Sequence, residues 1–108
     1  MPFSGAGKKI ETALQTFSGI TAQPHRYGGT EYRIGRREIG HVHADRLVDI
    51  PFPKKVRDEL VATGRAEPHH ILPQSGWVSI YLKRPPDVER AIELLQYSFE
   101  IAVKSGVK

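Results

Sequence analysis

Cysteine is absent from this 108-residue chain. That removes a disulfide scaffold, a thiolate zinc site and a cysteine nucleophile, and it fits a reducing, cytoplasmic setting. Long apolar runs are missing too. Met1-Pro2-Phe3-Ser4-Gly5-Ala6-Gly7 carries no stretch long enough for a signal peptide, and nothing later could span a bilayer. No membrane partner is therefore expected. A phosphate loop is also missing. Gly5-Ala6-Gly7-Lys8 has the right ending, but the motif's first glycine would fall on Pro2 and its Ser/Thr on Lys9. Ser75 lies in no nucleophile elbow, and the chain has no internal repeat and no low-complexity tract. Charge of one sign is scarce: 16 Lys and Arg against 12 Asp and Glu leave a net +4. Such a balance serves solubility and is compatible with an anionic ligand or nucleic acid.

What is present fits one domain, since domains run to about 100–150 residues. It can bury a small core without disulfide or metal support. The domain is expected over residues 8–104, with a flexible tail over 1–7 and a second tail over 105–108. Ile10, Ala13, Leu14 and Phe17 recur at helical spacing, which predicts a helix over 8–17 closed by Ser18-Gly19. Pro24 breaks an extended stretch over 20–27 and suits an edge strand. Residues 30–34 alternate cleanly, Gly35-Arg36 makes a two-residue hairpin loop, and 37–43 return. Residues 47–52 read as a further strand. Pro53 then opens a helix that turns Val56, Leu60 and Val61 inward. Pro85-Pro86-Asp87 opens the last helix, striped by Val88, Ala91, Ile92, Leu95, Phe99, Ala102 and Val103. The pattern predicts a single α+β domain. A curved, mainly antiparallel sheet is packed with an N-terminal helix, a middle helix and a long C-terminal helix.

The most informative stretch is 67–82. A histidine-bearing approach leads through the turn Pro73-Gln74-Ser75-Gly76 into a strand at the only tryptophan. Alternation places Trp77, Ser79 and Tyr81 on one face and Val78, Ile80 and Leu82 on the other. The return strand 37–43 holds a conflict. Strict alternation puts Ile39, His41 and His43 on one face, whereas a bulge at Gly40 would flip the register and turn Val42 inward.

His41 and His43 emerge on one side of their strand, about 6–7 Å apart along it. They are candidates for a divalent ion if His69, His70 or Glu67 supplies a third ligand. The simpler reading is two partly exposed imidazoles packed beside Trp77, so no metal and no cofactor is expected. Catalysis would pair a histidine with Glu38, Glu67, Asp45 or Asp49. No spacing meets a mechanical template, so no catalytic residue is assigned and the carboxylates read as surface charges or caps. Arg26, Arg33, Arg36, Arg37, Lys54, Lys55 and Arg57 could meet phosphates, with Tyr27 and Tyr32 stacking on bases. Glu31, Glu38, Asp58 and Glu59 dilute that field.

Three pieces carry a family resemblance: residues 35–43, the run Asp49-Ile50-Pro51-Phe52-Pro53, and 65–70 together with Ser75-Gly76-Trp77-Val78-Ser79. The chain resembles the small luciferase-family (luciferase-domain) proteins of bacteria over roughly residues 8–104. The resemblance implies a family label and not a light-emitting reaction. More distantly, Pro68-His69-His70, Trp77-Val78 and Ser98-Phe99 follow the order of the MmcQ/YjbR proteins. Their fold is similar to the CyaY-like α+β sandwich, and the resemblance implies DNA binding by fold analogy. The histidine-rich hairpin is an insertion relative to that pattern.

These features predict a non-catalytic binding domain. Its groove is lined by His41, His43, His69, His70 and Trp77, with Arg36 and Arg37 at the rim. The expected ligand is a small anionic molecule, a peptide or a partner protein. Two alternatives stand beside it: weak nucleic-acid binding through the basic hairpin, and a histidine-centred metal site with hydrolytic activity. The hairpin's edge leaves monomer and homodimer both open.

Overall fold

The computed structural model describes residues 5–25 and 28–106. Arg26 and Tyr27, weighed above for nucleic-acid contact, lie outside the described residues, as do 1–4 and 107–108 of the expected tails. Among the described residues there are six strands: β1 (Ile20–Pro24), β2 (Thr30–Ile34), β3 (Arg37–His43), β4 (Leu47–Pro51), β5 (Glu67–Pro68) and β6 (Trp77–Tyr81). They form one sheet in the order β1-β2-β3-β4-β6-β5, with every neighbouring pair antiparallel. Among the described residues three helices accompany it: α1 (Ala6–Leu14), α2 (Lys54–Ala62) and α3 (Pro85–Lys104). This is the α+β architecture that the hydrophobic spacing predicts.

α3 crosses one face of the sheet and α1 packs against α3. The core lies between them. Val88, Ala91, Leu94, Leu95 and Ala102 of α3 meet Ile39, Val48, Ile50 and Val78 of the strands, all fully buried. Ser98 occupies the inward stripe with its Oγ donating to the Pro51 carbonyl at 3.4 Å. Val103, expected inward, is instead 50% exposed. α1 starts at Ala6, two residues earlier than spacing predicts, because a distant carboxylate caps it. Asp45 Oδ1 accepts the Gly7 N–H at 2.7 Å and Oδ2 accepts the Gly5 N–H at 3.3 Å. These are amide donors that no helical carbonyl can reach. Asp45→Ala is expected to lower the unfolding free energy by about 1 kcal/mol, the usual cost of a lost N-cap, read as a shift in the urea midpoint.

Two glycines place the second face of the sheet. Gly40 sits under α3, where an added Cβ would lie 2.5 Å from Leu95 Cδ2 and 3.1 Å from the Asp49 carbonyl oxygen. Gly76 lies where the chain re-enters β6. A Cβ there would stand 2.1 Å from the Phe52 carbonyl oxygen, while its own carbonyl accepts the Phe52 N–H at 3.1 Å. The close approach at Gly76 returns the 69–76 loop to β6 beside the end of β4.

Candidate functional site

The conflict in β3 is resolved by a bulge. Tyr32 pairs with Gly40 but Arg33 pairs with Glu38, so Ile39 has no partner across the strand pair. One extra residue flips the register. Ile39 and Val42 therefore both enter the core, and His41 and His43 turn together onto the opposite face. Directly opposed residues share a face, so the register lays a polar row across the whole sheet: Gln23, Glu31, His41, Asp49, Ser79 and Glu67.

Asp49 is the centre of that row and is fully buried. Its Oδ1 accepts the Ser79 hydroxyl at 2.7 Å. Its Oδ2 stands 3.1 Å from Nε2 of each of His41, His43 and His70, and 3.5 Å from His69 Nε2. His69 and His70 come from the loop after β5 and stack at 4.3 Å between ring centroids. His25, just past β1, stacks on His41 at 4.1 Å. Trp77 walls the group, its ring 5.3 Å from His41 and 5.9 Å from His69. Glu38 Oε2 meets His41 Nδ1 at 2.6 Å. These groups line a pocket of about 520 Å³ together with Ile71 and Leu72, whose side chains are 71% and 51% exposed.

Electrostatics follow from the geometry. Burial alone would lower the His41 pKa. Hydrogen bonds to Asp49 and Glu38, with the charges of both, outweigh it and hold His41 up at about 9. Burial would raise Asp49, but bonds from His41, Ser79 and His70 and the charge of His69 hold its carboxyl well below the usual range. Burial lowers His43, helped by the charges of His41 and His25 against the pull of Asp49. Burial also lowers His69, with His70 and His41 adding to it. A raised histidine pKa stabilises the fold fully below its unfolded value of about 6.5, and that contribution is lost as pH climbs through about 9. A depressed carboxyl stabilises above its unfolded value of about 3.9 and loses its contribution as pH falls through the folded one. In chelator, melting temperature is therefore expected to peak near pH 6.5 and to fall as pH climbs towards about 9. Below about 6.5 the depressed His43 and His69 lower it, before Asp49 adds to the loss under about pH 4. His41→Asn should flatten the alkaline limb, and a wild-type limb without slope up to pH 9 would contradict the pairing.

The structure brings His41, His43, His69, His70 and Trp77 to one pocket. Arg36 and Arg37, expected at the rim, are not among the lining residues. Among the basic residues, Arg33 pairs with Glu31 and donates to the Arg36 carbonyl. Lys54 and Arg57 both reach Asp58. The stacking role weighed for Tyr32 is corrected: its ring is 3% exposed in the core and cannot meet a base. Asp45 is a helix cap, as one reading had it. Asp49 is no surface charge; its position opposite both His41 and Ser79 buries it. His25, Ile71 and Leu72 were missed. His25 belongs to the site only through the pairing of β1 with β2, which alternation in one strand cannot report.

A family model described as the luciferase domain matches residues 36–98. That is more than half of the chain, and the match runs from the hairpin tip through the histidine-bearing strand and Trp77 into α3. No curated protein and no solved structure matches. No helix among the described residues is long and apolar enough to cross a membrane. Asp49 and the four histidines around its Oδ2 lie inside the matched segment, with His25 outside it, and the chain belongs to the luciferase-domain family.

Proposed function

We propose that this domain binds a small molecule in the pocket over Asp49, and that binding rather than an assigned reaction is its role. One observation carries the reading. All five histidines of the chain, drawn from three separate segments, line the same pocket. Imidazoles scattered for solubility would not gather around one buried carboxylate. The volume of about 520 Å³ suits a small ligand, since such sites run to roughly 300–1,000 Å³ with few convergent polar groups and an apolar lining. The lip of Ile71, Leu72 and Trp77 suits an apolar body, and the imidazole-rich floor suits a polar head.

Benzoate is a suitable probe. Titrated into ¹⁵N-labelled protein, it is expected to shift the Trp77 indole N–H and the amides of residues 69–72. If benzoate leaves these signals unmoved while a short DNA duplex shifts Arg36, Arg37 and Lys55 in a salt-dependent way, the basic-hairpin, YjbR-like reading replaces this one.

A further inference from the structure

We propose that the pocket floor is a divalent transition-metal site, with His41 Nε2, His43 Nε2 and Asp49 Oδ2 as fixed ligands and His70 Nε2 as a fourth from the covering loop. The inference rests on the pocket being the working site, and it names what that pocket holds first.

Distances support it. Two ligand atoms each about 2.1 Å from one ion stand about 3.0 Å apart at a right angle and about 3.4 Å apart at the tetrahedral angle. His41, His43 and His70 each place Nε2 at 3.1 Å from the same carboxylate oxygen. The ligand atoms of His41, His43 and Asp49 all lie within 4.8 Å of one another, and Asp49 also belongs to a second such group with His69 and His70. His70 is the most exposed of these histidines, its side chain at 32%, so a rotation of the ring from the loop closes the set.

Hydrogen-bond accounting points the same way. A carboxylate offers about four lone-pair sites over its two oxygens. Ser79 takes Oδ1. Oδ2 then faces four ring nitrogens at 3.1–3.5 Å, more donors than one oxygen can satisfy. A cation among them converts the crowding into coordination.

The outer nitrogens sort ligands from supports. His41 Nδ1 lies 2.6 Å from Glu38 Oε2. A proton held there leaves the Nε2 lone pair facing the ion, as outer carboxylates do for metal-bound histidines. His69 is different. Its Nδ1 accepts the backbone N–H of Ile71 at 3.1 Å and of Leu72 at 3.0 Å. The ring proton therefore sits on Nε2, which donates towards Asp49 and cannot ligate. His69 is a positioning residue, holding both the carboxylate and the loop that carries His70. An imidazole-rich set with one carboxylate suits Zn²⁺, Co²⁺, Ni²⁺ or Fe²⁺ and not the all-oxygen ions Mg²⁺ and Ca²⁺.

The test uses tag-free chain stripped with chelator and titrated with Co²⁺ and Zn²⁺. One ion per chain is expected, with visible Co²⁺ bands of imidazole ligation and a raised melting temperature that Mg²⁺ does not produce. His41→Ala and His43→Ala are each expected to weaken Zn²⁺ binding by more than about 100-fold, beyond the 10–100-fold typical of an outer partner. His69→Ala should stay within that 10–100-fold range and leave the Co²⁺ band positions unchanged. Circular dichroism of each variant separates lost binding from lost fold, and His41→Gln and His43→Gln replace any alanine variant that unfolds. Absence of stoichiometric binding by any of these ions overturns the inference, as does wild-type affinity in both the His41 and His43 variants. Benzoate titration of the stripped chain separates the two ideas. Pocket shifts without ion binding overturn the metal site alone, and absence of both overturns the pocket with it.

Discussion

Asp49→Ala is expected to lower the unfolding free energy by about 3–5 kcal/mol, the cost of removing one partner from a buried ionic cluster. Urea denaturation in chelator at pH 6 measures it. The carboxylate is fully buried, and its loss acts twice. Ser79 Oγ, bonded to Oδ1 at 2.7 Å, keeps a buried hydroxyl with no acceptor there. His41, held protonated between two carboxylates, keeps only Glu38. Asp49→Asn retains an acceptor for Ser79 and removes only the charge, so it should fall between wild type and alanine. The alanine cost should shrink as pH drops, because the wild-type carboxyl, depressed in the fold, loses its contribution as it protonates. A cost below about 1 kcal/mol at pH 6 would mean that the cluster is not organised around this residue.

The elements that speak through local chemistry were legible in the sequence. Thr30–Ile34, the Gly35-Arg36 loop and Arg37–His43 follow from alternation and a glycine with φ 59° at the tip. Pro53 and Pro85 mark helix starts by their position. The bulge was legible only as a choice, since Gly40 permits it but the packing of Leu95 against Gly40 and of Ile39 in the core selects it. Asp49 hid for a related reason. In Leu47-Val48-Asp49-Ile50-Pro51 it reads as the polar face of a half-exposed strand. Burial comes from neighbours far away in sequence: Ser79 from β6, and two histidines from the loop that folds over it. A pairing pattern decides which residues share a row, and pairing is a property of the whole sheet. The N-cap of α1 is the same kind of case, because Asp45 lies 38 residues from the Gly7 amide it accepts.

Gly76→Ala is expected to cost about 3 kcal/mol, the upper part of the usual overpacking range, and to loosen one arm of the site without touching the other. A Cβ at 76 would stand 2.1 Å from the Phe52 carbonyl oxygen. That oxygen is backbone, so no side chain can swing away to relieve the contact. The strands must part where Pro51 pairs with Trp77 and where Phe52 donates to the Gly76 carbonyl at 3.1 Å. The parting displaces the loop that carries His69, His70, Ile71 and Leu72. His41, His43 and Asp49 are held by β3 and β4, whose mutual register does not involve residue 76. The melting-temperature rise produced by Zn²⁺ should therefore shrink in Gly76→Ala to the size seen in His70→Ala and should not vanish. A complete loss of that rise would place the ion's hold on the loop and not on the strands. An unchanged urea midpoint would show that the 51–77 junction can open at no cost, and the loop's return would then need another cause.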